Sequence, residues 1–485
     1  MRKKLPFLLC AVPLLFSAVA APARAALDVP YDSYIYNYRG YIEFTPAPYV
    51  PTGTISGITL GVGAFANPQG MCVSPDGYVY VADSGNNRVV KISPDFTQAE
   101  VIDTFINNGE PDSFSRPFGV TVSEKNLLYV ADTENRRVVV LNKDGALVQI
   151  VQNPRSEMLP DDYAFVPLKL AVDYADRVYV IARNMFQGIM VFTEEGEFTG
   201  FFGTISVKIT LWQRFWRLFS TVEQRQSLFI ATEFTGVDVD PMGFVYASFI
   251  DTDGVQAAFR LNPKGEDVIK RGENGNLGGD ISVQYGRPSR MVDIIERGKG
   301  VYSMLDAERG RVFTYDNEGN MLYIFGGLGS QVGTFRQPVA IEDTGSGAFL
   351  ALDADRQEIM VFSETEYGRL INLAVGMRYD GDEEEAVGVW EQVLTLNENL
   401  ELANIGIGKA YLTAGDNAEA MKHLKLGMNR TYYSIAFKRY RNDFLKANLG
   451  YMLTAVILLL VCRFVWNRII NRGKKKGKGN LLADG

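Results

Sequence analysis

The chain has 485 residues, 47% of them hydrophobic and 22% charged, the balance of a folded globular protein rather than a disordered one. Its net charge of −8 is unevenly spread: four basic residues lie in the first 25 positions and seven beyond residue 462, leaving 38 basic against 56 acidic residues between. So acidic a body disfavours nucleic acid and anionic lipid surfaces as partners of the main domain.

The chain starts "MRKKLPFLLCAVPLLFSAVAAPARA", a basic head, an apolar run too short for a comfortable membrane span, and an A-x-A pattern at Ala23 to Ala25. This predicts a signal peptide over residues 1–25, with the mature chain beginning near Ala26. Cys10 lacks the small-residue context of a lipid-attachment site.

Next comes a repeat. "YVYVADSGNNRVV" at 78–90 returns as "LYVADTENRRVV" at 128–139. Prolines 68, 117, 167, 288 and 338, with Thr235 in the fourth place, lead six units spaced by 49, 50, 68, 53 and 50 residues. Each unit runs from a short apolar strand through a turn to a strand centred on Tyr80, Tyr129, Tyr179, Tyr246, Tyr302 or Phe349. Alternating residues and turn peptides such as "SPDG" and "NKDG" are strand and hairpin signals. A single sheet of this size cannot cover both faces, whereas six packed radially can, so the pattern predicts a mainly β, six-bladed β-propeller over residues 26–366. The sixth unit runs short of an outer strand, and "ITLGVGAFANP" (58–68) resembles "YIFGGLGSQVGTFRQP" (323–338), an outer strand leading into the next blade. The N-terminal segment is therefore expected to complete blade six and close the ring.

Over residues 60 to 366 the units resemble NHL repeats, whose pattern is proline, short strand, D-G turn, "YVAD", then N-x-R and a final strand. The likeness is fullest where Asp83, Asn86, Asn87 and Arg88, and Asp132, Asn135, Arg136 and Arg137, recur. Units five and six keep part of it (Asp306 with Arg311; Asp353 with Asp355 and Arg356), and units three and four lack the Asp. The resemblance implies that the repeated Asp and Arg tie strand ends together.

The fourth unit arrives 18 residues late because of "ITLWQRFWRLFSTVEQRQSL" (209–228), which predicts a helical insertion over 205–230. Trp212, Phe215 and Trp216 either bury themselves across the propeller or form a rim that contacts a partner. A propeller's usual site is the funnel at one end of its axis. By position its candidates are Gln69, Arg116, Phe118, Lys169, Glu233, Phe234, Arg287, Arg290, Arg336 and Gln337, with loop residues Asn184, Phe186, Asp251, Arg309 and Arg356. Such arginines and aromatic rings suit a polar or anionic ligand, or else pair with the repeat aspartates.

Residues 367–440 change to helical periodicity. Gly381 and Gly415, Asp382 and Asp416, and Ala386 and Ala420 are each 34 residues apart, and "GIGKAYLTAGDNAEA" resembles tetratricopeptide repeats. The acids of "DEEE" (382–385) then belong to a helix start, and the single histidine, His423, to surface or packing. "LGYMLTAVILLLVCRFVW" (449–466) predicts a transmembrane helix within 447–470, and residues 471–485 a basic tail on the cytoplasmic side.

Cysteines at 10, 72 and 462 allow neither a disulfide framework nor a thiolate metal site, and one histidine outside the propeller removes histidine-based chemistry. No catalytic residue, metal or cofactor is therefore expected. The leading reading is a single-pass membrane protein with an extracellular propeller that binds a glycan, peptide or partner protein. NHL propellers with such tails resemble accessory components of bacterial surface systems, including those beside sugar transporters. Two alternatives stand: a lactone-hydrolase-like propeller with a divalent ion at its axis, and a purely structural subunit of a membrane complex.

Overall fold

The computed structural model describes residues 29–160, 162–203, 233–250, 256–272, 277–280 and 286–479, with side chains to residue 470. The expected leader (1–25), the body of the 205–230 insertion with Trp212, Phe215 and Trp216, and Asp251 lie outside the described residues.

Six antiparallel sheets carry the repeat. Blade 1 is built from Gly70–Val73, Val79–Asp83, Arg88–Ile92 and Ala99–Ile102, and blade 2 from Pro117–Val122, Leu128–Asp132, Arg137–Leu141 and Leu147–Val151. Blades 3 and 5 repeat the four-stranded order from Pro167–Val172 and from Met291–Glu296. Blade 4 departs from expectation: among the described residues its sheet has three strands, Phe234–Val239, Val245–Phe249 and Ala258–Leu261. Asp267 contacts Leu261 there only through an isolated bridge.

The second strand of each blade is buried on both sides, which explains why these strands read as near-continuous apolar runs. Alternation decides which neighbour each side chain meets. Val79 and Val81 pack with Leu350 and Leu352 of blade 6, whereas Tyr80 and Ala82 pack with Leu128 and Val130 of blade 2. Every blade thus shares a core with each neighbour, and the ring is a closed chain of interfaces.

Closure comes from the N-terminal segment, as expected, but from residues further upstream. The outer strand of blade 6 is Tyr49–Ser56, paired antiparallel with Glu358–Glu364, while Ile58 onward forms turns before blade 1. Ahead of it, a hairpin of Tyr34–Tyr36 and Ile42–Phe44 lies against the outer strand of blade 5. It is pinned at Asp280, a fully buried carboxylate that accepts hydrogen bonds from the Tyr34 and Tyr36 hydroxyls and pairs with Arg311 at 2.5 Å. Arg297 gathers the closure: its guanidinium reaches Asp343 at 2.6 Å, the Tyr323 hydroxyl at 2.7 Å and the Tyr49 hydroxyl at 2.5 Å.

Five helices follow: α1 (Glu366–Asp380), α2 (Glu383–Leu396), α3 (Glu401–Ala414), α4 (Asn417–Leu426) and α5 (Arg430–Gly479). The 34-residue spacing has a structural counterpart. Gly381 and Gly415 end α1 and α3 at φ +96° and +86°, where a side chain would be strained, and Ala386 and Ala420 are buried between helices. The two aspartates differ, however: Asp416 caps α4 by accepting from the Glu419 amide, while Asp382 makes no side-chain cap bond. His423 stacks on Tyr411 and its Nδ1 lies 3.2 Å from Asn404.

The helices do not stand apart from the propeller. Ile371, Ala374, Trp390, Val393 and Ile407 belong to the same core as Phe325, Phe349 and Phe362 of blades 5 and 6. Charge locks the docking: Glu318, on the turn between the third and fourth strands of blade 5, meets Arg378 of α1 at 2.6 Å and Lys409 of α3 at 2.5 Å. Although burial opposes it, these two cations pull the Glu318 carboxyl down to about 2. Helix α5, fifty residues long, contains a stretch long and apolar enough to cross a membrane.

Two outcomes test this fold. Tyr49→Ala removes a ring stacked on Phe325 at 4.8 Å and should cost about 3–5 kcal/mol in denaturant unfolding, whereas Tyr49→Phe should cost about 1–3 kcal/mol. Glu318→Gln should lower stability by about 1–3 kcal/mol at neutral pH and expose the α1–α3 region to protease. Because the folded pKa is depressed, that difference should persist above pH ~4.5 and shrink as acid is added towards about 2, where wild-type Glu318 is itself protonated.

Candidate functional site

The inner strands begin at one face of the ring, here the upper face, where the turns between second and third strands also lie. In blade 1, Asp83 sits at the end of the second strand. Its Oδ1 accepts the Ala66 amide at 2.7 Å, and its Oδ2 accepts Asn86 at 2.8 Å and Arg88 Nε at 2.7 Å. Asp132 does the same with Ser115, Asn135 and Arg137. In blades 5 and 6, Asp306 and Asp353 hold the amides of Arg290 and Arg336. The repeated acid is thus a clip between a blade's second strand and the loop entering its first, not a reactive group. Blades 3 and 4 lack it, and there Glu233 accepts the Asn184 amide at 2.8 Å instead.

At the axis, side chains are squeezed out. A Cβ on Gly70 would come within 2.4 Å of the Phe118 carbonyl oxygen, and one on Gly119 within 2.5 Å of that of Leu168. The space is crossed by Lys169, whose Nζ donates to Asp293 at 3.0 Å and to the Val339 carbonyl at 3.2 Å. Below this ion pair is a cavity of about 40 Å³, lined by Cys72, Thr121, Asp238 and Glu342 among others. Burial raises the Asp238 carboxyl to about 6 and the Glu296 carboxyl to about 7, the latter helped by Asp238; Glu342 is also pushed up, first by burial and then by Asp238 and Asp293.

The sequence-based candidates divide accordingly. Lys169, Glu233, Arg309 and Arg356 are engaged within the fold, Arg356 with Glu358 at 2.6 Å and Arg309 with Asp280 at 3.4 Å. Phe234 is buried against Phe249 and Phe259, so it belongs to a blade core rather than a funnel. Gln69 bonds Asn67 at 2.7 Å, and Phe118 is half-buried. Arg287 and Arg336 are exposed and only loosely paired, with Glu308 at 3.8 Å and Asp355 at 3.5 Å. Arg116 and Arg290 are exposed, with no acidic partner among the described residues, and Asn184, Phe186 and Gln337 are exposed beside them. Two further exposed arginines of this face, Arg136 and Arg183, escaped the sequence reading. Arg136 is the middle residue of the N-x-R pattern: Arg137 pairs with Asp132, and Arg136 is exposed at φ +56°.

The axial acids Asp238, Asp293 and Glu342, and Glu296 at the far end of the strand that holds Asp293, also escaped it. Acids within the inner strands were a visible signal, but register shifts near the start of all three strands decide which face they take. Among the described residues no three His, Cys, Asp or Glu side chains are placed to hold one metal ion. Asp293 is committed to Lys169 and the Ile341 amide, and Asp238 to the Glu296 amide.

Comparison with known proteins places the NHL repeat at residues 65–92 and 114–141, the two units with the complete Asp-Asn-Arg set. No curated protein matches the chain. Solved structures similar to it include virginiamycin B lyase from Staphylococcus aureus, at 13% identity over 68% of this chain and 87% of that one, with a TM-score of 0.39. A streptogramin B lyase matches at 11% identity over 62% and 95%, with a TM-score of 0.39. A protein of unknown function from Bacteroides thetaiotaomicron matches at 14% over 68% and 90%, with a TM-score of 0.43. Similarity at this level transfers no activity.

The axial carboxyls predict a pH dependence of definite sign. A carboxyl whose folded pKa is raised binds its proton more tightly in the fold, so its contribution is present below pH ~4.5 and lost as pH rises through about 7 for Glu296. Glu296→Gln should therefore stabilise the propeller at pH 8 relative to pH 5, by on the order of 2 kcal/mol, as read from urea midpoints at both pH values.

Proposed function

We propose that this NHL-repeat, six-bladed propeller is a membrane-tethered binding and scaffold protein whose upper face is its recognition surface. One geometric observation carries the reading. The third strand of blade 6 runs from the upper-face turn at Asp355 to Glu364, so α1 leaves from the opposite face, where Arg378 and Lys409 dock on Glu318. In this reading the tether hangs below the ring, and Arg116, Arg136, Arg183 and Arg290 stand exposed on the other face. Exposed arginines without acidic partners, on a chain with a large acidic excess, select an anionic or strongly polar partner: a glycan, a peptide or the surface of another protein.

Anchoring rests on the apolar stretch of α5, with the leader pattern at 1–25 and the basic residues after 462 favouring an outside propeller and an inside tail. The helical pairs act in this reading as a tetratricopeptide-like bracket. Their charged residues Arg378 and Lys409 are spent on Glu318, so they set the ring's attitude. An accessory role beside a bacterial carbohydrate transporter is a narrower form of the same proposal and rests on the family resemblance alone.

The test is recovery of the full chain from native membranes in mild detergent, with its companions identified by mass. Replacing Arg116, Arg290 and Arg336 by Ala should reduce at least one companion tenfold or more, about 1.4 kcal/mol, without shifting the unfolding temperature. Companions retained at wild-type yield would remove the upper face from the proposal.

A further inference from the structure

The proposed anchor raises a question about the part of α5 above the bilayer. Phe437, Tyr440 and Phe444 are 46%, 44% and 54% exposed. With Leu449 as the first residue of the apolar span, a rise of about 1.5 Å per residue puts Phe437 about 18 Å and Tyr440 about 13 Å above the hydrocarbon. The headgroup layer is only about 5–8 Å thick, so lipid cannot cover these two rings.

Their spacing says what can. Phe437, Tyr440, Phe444, Ala447 and Tyr451 alternate by three and four, and the alternation runs on to Val465. This is the seam of a left-handed coiled coil, in which one helix packs its apolar line against the same line of another. The charged residues Lys438, Arg441 and Lys446 fall outside that line.

The chain's own helices occupy a different side of α5. Ala436 is fully buried, Arg439 donates to the Leu412 carbonyl at 3.1 Å, and Asp443 accepts from Asn417 at 3.0 Å. At about 100° per residue, that side lies roughly a quarter-turn from the seam and leaves it open.

We propose that this line is covered by a second copy of the chain, in a parallel α5–α5 coiled coil that begins above the membrane and continues into it. A shared signal and anchor give every copy the same orientation, so only a parallel pairing is open to a second copy, and it brings equal seam positions face to face. The proposal rests on the anchor reading. The dimer would carry two propellers side by side, with both arginine-bearing faces turned away from the membrane.

Cysteine scanning of the full chain in native membranes tests it, in a background with Cys462→Ala; the remaining mature-chain cysteine, Cys72, is buried. On oxidation, Phe437→Cys and Tyr440→Cys should give a product of twice the chain mass at least tenfold above Lys438→Cys and Asn442→Cys. Equal yields at all four positions, no product, or a seam product of another mass would each overturn the proposal. Because cysteine itself alters the seam, the unsubstituted chain in detergent should also have the mass of two copies. Tyr440→Glu should reduce that species tenfold or more at an unchanged propeller unfolding temperature, and a monomeric wild type would overturn the proposal. Alkaline carbonate separates the two readings: a chain released to the supernatant counts against the anchor, whereas a pelleted chain without dimer counts against the seam alone.

Discussion

Everything in this molecule depends on one strand pairing, that of Tyr49–Ser56 with Glu358–Glu364. The six blades are held by the cores between neighbours, and such a chain of interfaces has two raw edges unless its ends meet. The pairing joins an N-terminal strand to the last blade, more than three hundred residues away in sequence. Arg297 reinforces it by holding Tyr49 of the closing strand, Tyr323 of blade 5 and Asp343 of blade 6 in one buried network. A buried charge is costly unless it is paired, and here each of its three nitrogens finds an oxygen.

Closure has consequences for function because it fixes what the two faces can be. Aspartate clips at Asp83, Asp132, Asp306 and Asp353 tie the loops of the upper face to second strands, so the arginines on those loops are presented from a rigid rim. The lower part of the axis concentrates carboxylates, with Lys169 as the cation of the blocking ion pair. One ring therefore separates a cationic outer rim from an acidic interior, in which Asp293 and Asp238 are held by internal hydrogen bonds. The helical bracket shares the core of blades 5 and 6 and grips Glu318, which fixes α1 and α3 against the ring.

Much was legible in the chain alone. Six units, their second-strand aromatics, the 34-residue helical spacing and the apolar stretch of α5 are local periodic signals, and local periodicity survives without knowledge of the fold. Ring closure by an N-terminal segment was legible too, because a sixth unit without an outer strand demands one from elsewhere. Its location was misplaced toward Ile58, since loop residues after an outer strand resemble each other as well as the strand does. Blade 4 has three strands in the described residues, and where a fourth would pair, Leu261 meets Asp267 only through an isolated bridge.

The sequence by itself determined the number of blades, the type of repeat and the place of the long apolar helix, because alternation, turn peptides and apolar length are properties of neighbours along the chain. Only the tertiary structure decided which polar residues are free. Arg136 and Arg137 are adjacent and identical in type, yet one turns outward and the other is bound to Asp132 and Asp112. Lys169 looked like a ligand contact until Asp293, 124 residues away, was brought across the axis to meet it. Whether a charge serves recognition or architecture depends on what stands opposite it in space, and that partner is set by the closing of the ring.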